Sequence, residues 1–170
     1  MSSAGIRQAI DKLSAEISAD ASRAKAKPVP ATARLTEGLK CEVTGPRGER
    51  VVTDMPPAMG GQASAPNPGW YMRGAMASCA ATVIAMRAAK LGIALETLEV
   101  TVDSDADHRG ILGLDEKISA GQSALRMTVK IRGNAEPHTL RELAAWGEAH
   151  SPVGCTVKDA PPCSLEVRLI

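Results

Sequence analysis

The stretch that most constrains the fold is NPGWYMRGAMASCAATVIAMRAAKLGI, residues 67–93. Asn67 offers a side-chain oxygen to cap a helix, and Pro68 suits the first helical position, where its missing N–H costs nothing. Gly92 supplies a left-handed stop. The spacing predicts one long helix over residues 69–91. Small residues dominate it: Gly74, Ala75, Ala77, Ser78, Ala80, Ala81, Ala85, Ala88 and Ala89. Small side chains on many faces let another backbone come close. That suits a central helix covered by sheet or by a partner chain. The chain has no Phe, one Tyr and two Trp, so the surrounding core must be built from Ala, Val, Leu, Ile and seven Met.

Upstream, Ile6, Ile10, Leu13 and Ile17 share a face, with Arg7, Asp11, Lys12 and Glu16 elsewhere. This predicts an amphipathic helix over residues 6–24, broken by KAKPVP. Its narrow stripe suits an arm docked on its own subunit or across a dimer. Residues 1–27 are therefore read as an N-terminal helical arm and residues 28–170 as a single domain. ATARLTEG, LKCEVTG and PRGERVVTDM predict three short strands with turns at TEG and GPRG. PPAMGGQASAPNP reads as a loop rich in Gly and Pro.

After the long helix, ALETLEVTVDSDAD alternates as a strand and HRGILGLDEKISAG is an irregular excursion. SALRMTVKIRG sets Leu125, Met127, Val129 and Ile131 against Arg126, Thr128, Lys130 and Arg132. EPHTLRELAAWGEAH predicts a further helix, ended where Ser151 precedes Pro152. SPVGCTV reads as a loop, and CSLEVRLI as a closing strand with Leu165, Val167 and Leu169 on one side. This order is an α+β pattern dominated by antiparallel pairings.

A net charge of +1 and scarce aromatics argue against nucleic acid as a partner. The apolar stretch between Arg73 and Arg87 is too short for a membrane span, and the N-terminus lacks an apolar signal region. A cytoplasmic setting with reduced cysteines is expected. Cys41, Cys79, Cys155 and Cys163 with His108, His138 and His150 form no tight ligand pair, so no metal and no cofactor is expected. Cys41 reads as strand packing, and His150 as a cap on a helix C-terminus. His108 and His138 read as surface residues.

Cys79 lies mid-helix on a stripe with Met72, Ala75, Met76, Val83 and Met86. A single helical Cys is usually a small buried hydrophobe, and this one is too far from the helix start to feel its dipole. Thiol peroxidase chemistry needs a thiolate that becomes a sulfenic acid, a cation that activates it and a thiol that resolves it. Cys79 fits the first role in an apolar setting, and Cys155 fits the resolving one.

GGQASAPNPGWYMRGAMASCAATVIAMRAAKLGI resembles the central helix of the OsmC/Ohr family. DADHRGILGL resembles its D-x-R-G-x-x-G segment, and AHSPVGCTV stands where the family places its second motif. The resemblance covers residues 31–170. It implies an OsmC-like fold, with curved antiparallel sheets around central helices in an intertwined homodimer and active sites at the subunit interface. It further implies a thiol-dependent peroxidase that takes organic hydroperoxides and is reduced by a thiol or lipoyl partner. Cys79 is then the peroxidatic residue, Cys155 a conditional resolving residue and Lys40 the nearest activating cation.

Three positions depart from the family pattern. Ser151 replaces the cysteine of C-P, and Gly69 replaces a Glu that orients a catalytic Arg. TEGLKC has Lys40 where that Arg is expected, and Arg34 falls within a strand. The alternative implied is a non-peroxidase member that binds a small apolar or sulfur compound in the interfacial pocket.

Overall fold

Asn67 and Pro68 begin the long helix as their residue types dictate. Helix α2 spans Pro68–Leu91, and Asn67 Oδ1 accepts from the Trp70 N–H at 2.8 Å. It ends at Gly92, whose φ of +73° only glycine adopts freely. The computed structural model describes residues 3–170. The chain forms two units, one of Gln8–Gly74 and the other of Ala75–Ile170 with residues 3–7. Helix α2 runs from one into the other.

Helix α1 spans Ser3–Ala19, shorter than the predicted 6–24 at its C-terminal end. Asp20 stops it by accepting from the Ser22 N–H at 3.0 Å and the Ser22 hydroxyl at 2.7 Å. Residues Ala21–Ala24 then make a 3₁₀ turn. A short polar side chain has captured the backbone, as Asp does near helix ends.

In the unit of Gln8–Gly74, β1 (Thr32–Glu37), β2 (Lys40–Thr44) and β3 (Arg50–Thr53) form an antiparallel sheet in that order. The turns predicted at TEG and GPRG are present, with Gly38 at φ +53° and Gly48 at φ +89°. Cys41 pairs across the sheet with Leu35 and Thr53.

In the unit of Ala75–Ile170, β4 (Leu95–Ala106) and β5 (Gln122–Gly133) form one antiparallel pair. Leu98, Val100, Val129 and Ile131 pack against a core of Ile84, Ala88 and Leu143. The other face carries cross-strand ion pairs, Lys130–Glu99 at 2.6 Å and Arg132–Glu96 at 2.8 Å. Arg126 bridges Asp103 and Asp105, and these carboxylates push its guanidinium pKa further up. The alternation of SALRMTVKIRG thus sorts apolar from charged, as period two requires. Between the strands, Asp107 caps the short helix α3 (His108–Ile111). The Arg109 side chain and N–H hold the Asp107 carboxyl down to about 2.

Helix α4 (Pro137–Ala149) brings Leu143 and Gly147 into this core. A Cβ on Gly147 would overlap Ile84 Cγ1 and stand 3.1 Å from the Ile84 Cα and N. The close backbone approach predicted for α2 is therefore made by α4, at Gly147.

Two expectations are corrected. SPVGCTV is helix α5 (Pro152–Lys158) rather than a loop. Ser151 and Pro152 repeat the capping logic of Asn67 and Pro68, so Pro152 starts a helix instead of only ending one. CSLEVRLI is not a strand: residues 159–170 are irregular and Leu165, Val167 and Leu169 are exposed. Alternation prepares a segment for a sheet, but a strand exists only where another strand supplies hydrogen bonds.

Candidate functional site

The buried stripe of α2 is Met76, Ala80, Ile84 and Ala88, each four residues after the last. Cys79 precedes Ala80 and lies on the shoulder of that stripe, half-buried. Ala75, on its own stripe, is exposed and Val83 half-buried. Met86, one turn further on, is 42 % exposed. Cys79 therefore lies beside the buried stripe of α2 rather than on it.

Cys155 is held differently. Ser151 is fully buried, and its Oγ accepts from the Gly154 N–H at 3.3 Å. Cys155 N–H donates to Ser151 O at 2.8 Å, and Cys155 Sγ donates to Ala149 O at 3.3 Å. Gly154 is buried within the helix. Lys158 pairs with Glu148 and ties the end of α5 to α4. Cys41, Cys79, Cys155 and Cys163 are all free. The residue standing in the C-P position is thus a helix cap. Ser151→Ala is expected to lower stability by about 1 kcal/mol, read as a fall in the thermal midpoint. An unchanged midpoint would show that the cap contributes nothing.

The third sequence candidate, Lys40, opens β2 in the unit of Gln8–Gly74, and its carbonyl accepts from the Thr36 hydroxyl at 3.1 Å. It borders a cavity of about 30 Å³ with Glu37, Leu39, Asp54 and Gly60. His150 caps α4 as expected, with Nδ1 2.7 Å from Trp146 O. Its ring stacks on Trp146 at 3.9 Å, and the Arg87 guanidinium lies 4.6 Å from that indole.

Sequence reading passed over Asp54. It is only 3 % exposed. Its carboxylate accepts from Met55 N–H at 2.8 Å, Gln62 N–H at 3.2 Å, Ser64 N–H at 2.9 Å and Ser64 Oγ at 2.8 Å. These bonds organise the Gly- and Pro-rich loop that leads into α2. Ala63 within it adopts φ +52°, a left-handed conformation that alanine rarely takes. Gly61 allows the fold-back, because a Cβ there would overlap the Met55 carbonyl. The signal was an Asp opening a loop with serine ten residues on, too weak a spacing to read in advance.

The Ser64 N–H and hydroxyl, then the Met55 and Gln62 amides, hold the Asp54 carboxyl below its usual range against the opposing effect of burial. A depressed folded-state pKa stabilises above the unfolded value of about 3.9 and is lost as pH falls through the folded value. The urea midpoint of the wild type is expected to fall as pH drops below about 5. Asp54→Asn should start lower and show a smaller acid loss. Parallel wild-type and variant curves would contradict this.

The OsmC-like protein profile matches residues 61–166. This chain belongs to the OsmC-like protein family. No curated protein sequence matches it. Solved structures show the same fold at low identity. An OsmC-like protein from Mycoplasma pneumoniae is 15 % identical with a TM-score of 0.67, covering 80 % of this chain and 91 % of that one. An organic hydroperoxide resistance protein OsmC from Legionella pneumophila is 19 % identical with a TM-score of 0.55, covering 79 % and 92 %. The organic hydroperoxide resistance protein OhrB of Bacillus subtilis is 17 % identical with a TM-score of 0.52, covering 79 % and 93 %. The α+β class and the OsmC-like architecture follow. Among the described residues, no helix of this OsmC-like chain is long and apolar enough to cross a membrane.

Proposed function

We propose that this OsmC-like chain reduces organic hydroperoxides with Cys79 as the attacking thiol. The observation that carries the reading is the position of Cys79, a free and half-buried thiol on the shoulder of the buried stripe of α2. The Cys79 thiolate attacks the terminal peroxide oxygen, and the O–O bond breaks. The leaving alkoxide takes a proton and departs as the alcohol, and Cys79 is oxidised to the sulfenic acid. An external dithiol, of lipoyl or similar type, then attacks that sulfur and releases water. Its second thiol opens the mixed disulfide, returns Cys79 to the thiol and leaves the reductant as a disulfide.

An external resolving thiol fits the helical setting of Cys155, whose Sγ is directed to Ala149 O. Lys40 keeps the activating role by family position. An intertwined homodimer is part of this reading, and the exposed alternation of Leu165, Val167 and Leu169 supports a second copy as the source of the missing strand partner. Free cysteines suit a reducing, cytoplasmic setting. A second reading, ligand binding without turnover, is favoured by Gly69 and Ser151, which remove the family's carboxylate and second thiol.

Consumption of cumene hydroperoxide in the presence of dithiothreitol or dihydrolipoamide tests the proposal. Catalytic consumption by the wild type is expected. Its absence with both reductants would leave the second reading.

A further inference from the structure

We propose that Thr82 is a positioning residue for the Cys79 thiolate, its hydroxyl donating a hydrogen bond to that sulfur from one turn further along α2. The proposal deepens the peroxidase reading and rests on Cys79 as its nucleophile. A sulfur anion at this place needs a donor. Cys79 stands well inside α2, past the first turn in which the helix dipole acts.

Residues 75, 79, 82 and 86 follow one another at helical spacing and form one row along α2. Ala75, Thr82 and Met86 are exposed and Cys79 is half-buried, so this row runs beside the buried stripe. The row is Ala, Cys, Thr and Met, which makes Thr82 the source of a hydroxyl on the face of the thiol. Ser78, on the adjoining line, donates its own hydroxyl to Ala75 O at 3.2 Å. The Thr82 hydroxyl makes no hydrogen bond among the described residues. Threonine within a helix commonly gives its proton to the carbonyl a turn before, and here that proton is left for another acceptor.

Residues three apart on a helix hold their Cβ atoms about 5–6 Å apart, and each side chain leans back over the preceding turn. Rotation about χ1 then carries the Thr82 hydroxyl toward the Cys79 sulfur, a motion that exposed side chains make within nanoseconds. The bond forms on the anion, because a thiol is a weak acceptor and a thiolate a charged one. The thiol proton leaves to solvent, and threonine keeps its own while sharing it with sulfur. Both residues lie in the unit of Ala75–Ile170, so no other segment is needed to bring the donor.

The test is alkylation of the full chain by iodoacetamide across pH, read by mass spectrometry on the tryptic peptide of residues 74–87, which holds Cys79 and no other cysteine. Thr82→Val keeps the shape and removes the donor. It is expected to move the half-maximal pH up by about one unit. Near neutral pH, alkylation should fall about threefold, while the high-pH plateau rises by up to about threefold. A less stabilised thiolate is rarer but more nucleophilic. Sulfenic acid formation on Cys79 by cumene hydroperoxide near neutral pH should slow by about the same factor. Thr82→Ala should match Thr82→Val, and Thr82→Ser, which restores the hydroxyl, should match the wild type.

Superimposed profiles for the wild type and Thr82→Val would overturn the proposal. So would a shifted profile in Thr82→Ser, which would assign the effect to the lost methyl group, or a shift in Thr82→Val that Thr82→Ala lacks. Superimposed profiles in a chain that consumes peroxide would remove the role of Thr82 and leave the proposed enzyme intact. The expected shift in a chain that consumes none would leave the bond to sulfur and remove the peroxidase.

Discussion

Replacement of Cys79 by serine is expected to abolish hydroperoxide consumption, with turnover reduced about a thousandfold or more. A hydroxyl at that position is neither ionised near neutral pH nor able to form the sulfenic acid, so no partial mechanism survives. Cys155→Ser is expected to turn over at close to the wild-type rate, because its thiol sits inside α5 with Sγ on Ala149 O. The decisive measurement is the rate of peroxide loss for both variants with the same external dithiol, joined to mass spectrometry after one equivalent of peroxide. A sulfenic acid trapped on Cys79 in Cys155→Ser fits a one-cysteine cycle. Loss of turnover in both variants, with a disulfide between residues 79 and 155 in the wild type, would make Cys155 the resolving thiol. Retained turnover in Cys79→Ser would refute the assignment of the nucleophile.

Gly147→Ala is expected to destabilise the protein by about 1–3 kcal/mol, and larger residues by more. Alanine is favoured over glycine within a helix by about 1 kcal/mol, so the expected sign rests on packing alone. At Gly147 the added methyl would overlap Ile84 Cγ1 and press on the Ile84 backbone at 3.1 Å. Ile84 is fully buried and has nowhere to go. Gly74 supplies the control within α2. A Cβ there would meet only Trp70 Cζ3, at 3.9 Å, an ordinary contact. Gly74→Ala should therefore raise stability by up to about 1 kcal/mol. Thermal midpoints should move in opposite directions, by about 2–4 °C per kcal/mol for a chain of this size. A stabilising Gly147→Ala would mean that α4 is not in close contact with α2.

Helix starts were legible where residue chemistry acts locally. Asn67 with Pro68 marked α2, and the Trp70 amide bonds to Asn67 as that pairing implies. The same signal was present at Ser151 and Pro152 but was overshadowed by the helix just before it. A proline after a helix breaks one hydrogen-bond ladder and can begin the next. The choice depends on whether a cap precedes it, and Ser151 is one. The closing CSLEVRLI alternates as a strand does, yet remains irregular in the single chain because pairing is not a property of one segment.

The candidate site divides along the same line. Family-specific spacing is enough to single out Cys79, since the residue type and its place in the capped helix are both local facts. Burial was not local. That Ile84 and Ala88 face inward depends on where β4, β5 and α4 pack. The role of Asp54 was invisible in sequence because its partners come from a loop folding back on itself. Sequence alone determined the start of α2 at Asn67 and Pro68 and the alternation of β4 and β5. Tertiary structure decided which face of α2 is buried and that Gly147 must be glycine, because these depend on groups brought together from distant positions.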